Sequence, residues 1–75
     1  MHDAISIPRS VRSVIFDFLN ETRTADLLRE TLVLPAVLDR LDRAGLECQA
    51  TQPFARWLRR EAASVHRRRM RGFRE

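Results

Sequence analysis

TQPFARWLRREAASVHRRRM, residues 51–70, decides how this chain is read. Thr51 is a good helix cap, and Pro53 is tolerated in a first turn because its amide would have no intrahelical partner there. At about 100° per residue, Phe54, Trp57, Leu58, Ala62 and Val65 fall along one side, and Arg56, Arg59, Arg60 and Arg67 fall on the other. The spacing therefore predicts a long amphipathic helix over 52–70 with a basic outer face. After Val65 the apolar pattern stops, since Arg68 and Arg69 arrive at the angles that Trp57 and Leu58 began. Residues 66–75 accordingly read as a basic extension projecting from the core.

Working outward, the rest of the chain is also helical in pattern. Val11, Val14, Ile15, Phe18 and Leu19 share one face of a first helix over 8–20, with Pro8 suited to its start. Phe16 lies off that stripe and is either core or an exposed contact. Thr22 or Thr24 can cap a second helix over 24–34 with Leu27, Leu28, Thr31 and Leu34 inward and Asp26 opposing the dipole. Pro35 is expected to end it and to start a third over 35–44, with Val37, Leu38, Leu41 and Ala44 inward, an Asp39–Arg43 surface pair, and Gly45 as terminator. Only residues 4–7 alternate like a strand, too few to pair alone. The expected fold is one all-α domain over 1–75, a small bundle of about four helices.

All fourteen basic side chains are arginine, and eight fall in the last twenty residues. Residues 1–55 hold six arginines against eight acids, a balance of −2, and residues 56–75 hold eight, Arg74 included, against Glu61 and Glu75, a balance of +6. Arginine stays charged when desolvated and offers a planar fork of donors that fits phosphate and carboxylate. Such asymmetry is the footprint of a basic segment that meets nucleic acid, an acidic protein surface or anionic lipid. Arginine-favouring codons combined with a solvated helix face would leave the same composition. Glu61 stands within the apolar stripe, so it is expected to pair with an arginine at the bundle's rim or to mark a seam between copies.

A chain of 75 residues buries only about 60% of its unfolded surface, so a self-associated form or a stabilising partner is expected. Cys48 is the only cysteine, which excludes an internal disulfide, and with His2 and His66 it supplies too few ligands for a zinc cage. Cys48 reads as a small residue between helices, and a lone thiol fits a reducing, cytoplasmic setting. No apolar run approaches the roughly 20 residues of a membrane span, and Asp3 and Pro8 interrupt what would be a signal segment. No phosphate loop, metal motif or carboxylate pair is present, so no catalytic residue, cofactor or metal is expected. Cys48 with His66 lacks a third orienting group.

The segments Thr24-Ala25-Asp26-Leu27-Leu28 and Val37-Leu38-Asp39-Arg40-Leu41-Asp42-Arg43-Ala44-Gly45-Leu46 resemble the end of a helix-turn-helix unit in winged-helix transcription factors. In that family a recognition helix commonly closes with leucine, charged residues, glycine and leucine. The resemblance covers residues 24–46, about a third of the chain. No glycine-containing turn lies between the helices and no hairpin wing follows Leu46. Asp39 and Asp42 would face phosphate unfavourably, so the resemblance implies DNA binding in which the basic last helix supplies much of the contact.

Two functions follow. The first is a small nucleic-acid-binding regulator contacting phosphates through Arg56, Arg59, Arg60, Arg67, Arg68, Arg69 and Arg71, two copies giving the span of a paired site. The second is a protein-binding adaptor, inhibitor or small assembly subunit, of the phage- or plasmid-regulator type, docking the same helix on an acidic surface. Glu61, Met70 and Phe73 are its candidate interface residues, because arginine and aromatic side chains anchor such contacts.

Overall fold

Pro8 stands just outside the first helix and its carbonyl accepts the first helical bond, from the Arg12 amide at 2.9 Å. From there α1 runs Arg9–Glu21. The computed structural model describes residues 6–73, apart from the side chain at 73, so half of the 4–7 alternation, residues 4 and 5, lies outside the described residues. Val11, Ile15 and Leu19, four residues apart, form the buried line of α1, with Val14 and Phe18 half-buried beside it.

The second quarter of the chain departs from expectation. Instead of two helices meeting at Pro35, there is a short 3-10 turn, Thr24–Asp26, and then one helix, α2, running Glu30–Arg43 with Pro35 inside it. The described residues thus hold three α-helices rather than about four. A proline inside a helix costs about 3 kcal/mol. Val33, Val37 and Leu41 continue a four-residue spacing straight through it and are all buried, and each such side chain contributes about 1.5–3 kcal/mol. The core therefore outweighs the proline. Pro35 and Thr31, whose carbonyl loses its amide donor, are both exposed, so water can satisfy the orphaned oxygen.

The turn also resets the helical phase. Leu27 is fully buried, but Leu28 and Thr31, expected inward, are exposed, and Leu34 is half-buried. In the later stripe Val37 and Leu41 are buried, Leu38 is half-buried and Ala44 is exposed. Neither threonine caps a following helix. The Thr22 hydroxyl donates to the Phe18 carbonyl at 2.8 Å and closes α1 instead.

Gly45 ends α2 as expected. Its amide donates to the Asp42 carbonyl at 3.0 Å and the Leu46 amide to that of Leu41 at 2.9 Å, a pair of bonds that requires the left-handed φ of 75° found at Gly45. The loop then leads to Thr51, whose Oγ1 accepts the Phe54 amide at 3.2 Å and starts α3, Gln52–Phe73. Phe54, Trp57, Leu58, Ala62 and Val65 are buried against the lines of α1 and α2. No polar or charged residue is buried among the described residues. Phe16 joins this core from the edge of α1, its ring 6.2 Å from that of Trp57.

Candidate functional site

With one side of α3 committed to the core, its arginines separate by what they touch. Arg59 is held by the neighbouring helix, its Nε donating to Glu30 Oε1 at 3.0 Å and its Nη2 lying 2.9 Å from the same oxygen. Both groups are substantially exposed, so the pair contributes only about 0.2–1 kcal/mol. It nevertheless occupies the guanidinium.

Arg69 is engaged more completely. Its Nη2 donates to the carbonyls of Leu19 at 3.0 Å and Asn20 at 2.8 Å. Its Nη1 donates to the Thr22 carbonyl and, at 3.2 Å, to Thr24 Oγ1. A helix ends with carbonyls that lack donors and with partial negative charge, and α1 has no basic residue in its own last turn. Arg69 supplies that missing charge from another helix. The expectation that 66–75 projects free of the core is therefore corrected at this residue. Its place in the helical wheel, between Leu58 and Ala62, is the sequence signal that marks it.

Five arginines of α3 remain exposed: Arg56, Arg60, Arg67, Arg68 and Arg71. None lies within ion-pair distance of a carboxylate among the described residues. Arg56, Arg60, Arg67 and Arg71 fall within about 60° of one another on the outer face. They form a stripe about 22 Å long. Arg68 lies roughly a quarter turn to one side. Arg56 with Arg60 and Arg67 with Arg71 are like-charge i,i+4 pairs, each destabilising a helix by about 0.2–0.5 kcal/mol. Of the six arginines before α3, Arg40 is neutralised by Glu21 at 2.9 Å, Arg43 by Asp39 at 3.1 Å and Arg29 by Asp26 at 3.8 Å, whereas Arg9, Arg12 and Arg23 are exposed and unpaired among the described residues but are not aligned with the α3 row.

Glu61 does not form the rim ion pair expected of it, and no arginine lies within 4.0 Å of it among the described residues. It is half-exposed at the edge of the apolar stripe, where water solvates the carboxylate. Met70 is 45% exposed and sits with His66, Arg67 and Arg71 around a shallow surface depression. The side chain of Phe73, and the whole of Arg74 and His2, lie outside the described residues.

Cys48 is in the loop before α3 rather than between helices, beside Ile7, Pro8 and Val11. His66 is near the other end of that helix, roughly 20 Å of helical rise away, so the two do not meet. Partial burial pushes the Cys48 thiol above its ordinary range. At neutral pH its thiolate fraction is therefore below that of a free cysteine, and alkylation by iodoacetamide should be slower than for unfolded protein at the same pH. A folded rate equal to the unfolded rate would contradict this. Because the unfolded chain releases the proton first, this group's contribution to stability is present below the unfolded pKa and falls away as pH rises through the folded one.

No group of three His, Cys, Asp or Glu side chains among the described residues is arranged to hold a metal, and no described helix is long and apolar enough to cross a membrane. Comparison with family models, characterised proteins and solved structures returns no match. What the arrangement offers chemically is an elongated row of unneutralised guanidinium groups on a rigid helix. Such a row suits a ligand bearing repeated negative charge.

Proposed function

We propose that this protein binds nucleic acid through phosphate contacts made by the outer face of α3, acting as a small regulatory protein in the cytoplasm. The observation that carries the reading is the stripe Arg56, Arg60, Arg67 and Arg71, exposed and without a carboxylate partner among the described residues. Arg68 adds charge at the side of the stripe, whereas Arg59 and Arg69 are assigned to the fold. The reading is one of binding and not of catalysis. Self-association belongs to it, because a domain of this size has a small core and two copies would double the number of phosphate contacts.

A second reading is docking on an acidic protein surface. The observation in its favour is Met70, exposed between Arg67 and Arg71, since mixed apolar and arginine surface is typical of protein anchors.

Mobility shifts with generic nucleic acid over a salt series test the first reading. Binding should weaken linearly in log–log form as salt rises, and the variant Arg56→Glu, Arg60→Glu, Arg67→Glu, Arg71→Glu should fold yet lose binding throughout. Absence of binding at low salt, or affinity indifferent to salt, would eliminate phosphate recognition. Loss of a co-purifying acidic protein by the same variant, with nucleic-acid affinity unchanged, would establish the second reading in its place.

A further inference from the structure

The stripe on α3 is not evenly filled. Arg56 and Arg60 are one turn apart, and so are Arg67 and Arg71, but the two pairs are separated by a stretch whose outward positions are Ala63 and Ser64. The midpoints of the pairs are about 16 Å apart along the axis. Both intervening residues are small, uncharged and half-buried, so the outer face has a low saddle between two cationic ends.

This spacing has a counterpart in duplex DNA. The major groove of B-form DNA is about 12 Å wide and admits a helix, and the phosphates stand on its two rims. The minor groove, at about 6 Å, is too narrow for the helix to enter or for the pairs to bracket. Resting on the phosphate-binding reading, we infer that α3 lies across the major groove of a B-form DNA duplex. Arg56 and Arg60 meet the phosphate backbone on one rim, and Arg67 and Arg71 meet the other. Ala63 and Ser64 face the base edges between them. Ala63 has no hydrogen-bonding group, and a serine hydroxyl donates or accepts without choosing among bases, so the contact carries little sequence information.

The aromatic residues argue against a single strand as the ligand. Proteins that hold unpaired strands stack the bases on exposed rings beside a basic groove. On α3 the rings of Phe54 and Trp57 are turned into the core, and Phe16 is packed on Trp57. No aromatic ring of a described side chain accompanies the stripe. Glu61, the only acid of α3, lies about a third of a turn from the stripe's midline, and Glu30 is occupied by Arg59.

Fluorescence anisotropy with labelled oligonucleotides tests the inference. The probes are several 20-base-pair DNA duplexes of unrelated sequence, one of their single strands, and an RNA duplex. Four phosphate contacts per protomer predict a slope of log K against log salt of about −3.6 per protomer bound. Either double variant, Arg56→Gln with Arg60→Gln or Arg67→Gln with Arg71→Gln, should reduce it to about −1.8. Arg9→Gln with Arg12→Gln, on α1, should leave it unchanged. DNA duplexes should bind within about threefold of one another and at least about tenfold more tightly than the single strand. The inference is overturned if the single strand or the RNA duplex binds as tightly, if one pair carries the whole salt dependence, or if unrelated DNA duplexes differ by about 100-fold. Those results would leave phosphate binding itself intact. Failure of every probe to bind at low salt would remove both.

Discussion

Arg69→Ala is expected to lower folding stability by about 2–3 kcal/mol, although the residue lies within a run of arginines that reads as solvated surface. The substitution removes a guanidinium from the carbonyls of Leu19, Asn20 and Thr22 and from the Thr24 hydroxyl. Hydrogen bonds from a charged donor contribute about 1.5–3 kcal/mol each, but this end of α1 is partly open to solvent and water takes over some of the acceptors. A partly buried cation at a helix C-terminus contributes up to about 2 kcal/mol, and the two figures describe overlapping effects that do not add. Arg67→Ala two positions earlier, exposed and without a partner among the described residues, should change stability by less than about 0.5 kcal/mol. Arg69→Lys keeps the charge but loses the fork, so it should recover about half of the difference. Urea unfolding followed by circular dichroism distinguishes the three variants. If Arg69→Ala matches the parent, its guanidinium is free for a ligand and the assignment to the fold is wrong.

The contrast between Arg67 and Arg69 shows what a local reading reaches. The start of α1, the end of α2 and the start of α3 are legible because Pro8, Gly45 and Thr51 act on atoms within a few residues of themselves. The core faces of α1 and α3 are legible for the same reason, since a spacing of three and four is all that a helix face requires. Pro35 misleads because the rule against it is also local. The opposing term, the shared burial of Val33, Val37 and Leu41, belongs to the tertiary structure, although their four-residue spacing is visible in the chain. Arg59 meets Glu30 across 29 positions and Arg69 meets Thr22 across 47, and no periodicity encodes either pairing. The cluster of arginines is apparent from composition. Its division into two structural residues, a four-residue outer stripe and the displaced Arg68 needs the relative placement of the helices.

Trp57→Ala should have the larger effect, about 3–5 kcal/mol. The indole is 9% exposed and lies between two other rings, with centroids 6.0 Å from Phe54 and 6.2 Å from Phe16. Its removal loses the transfer free energy of a large apolar side chain, leaves a cavity that the remaining helices fill only in part, and ends two aromatic contacts that each contribute about 0.5–1.5 kcal/mol. A single core in a domain this small supplies only about 3–5 kcal/mol, so the variant should be largely unfolded at 25 °C. Trp57→Phe retains a ring in the same place and should cost about 1–2 kcal/mol, leaving a folded protein with a lowered thermal midpoint. Because Trp57 is the only tryptophan, helicity by circular dichroism is the appropriate measurement for both. The consequence reaches the binding experiments: Trp57 and the arginine stripe share α3, so Trp57→Ala would abolish binding by dissolving the helix that aligns the arginines. Loss of affinity identifies an interface residue only in variants whose helicity is intact, which the exposed positions Arg56, Arg60, Arg67 and Arg71 allow. A Trp57→Ala protein with near-native helicity and thermal stability would mean that the three-ring cluster does not hold the bundle together. The indole would then have to be assigned to an interface.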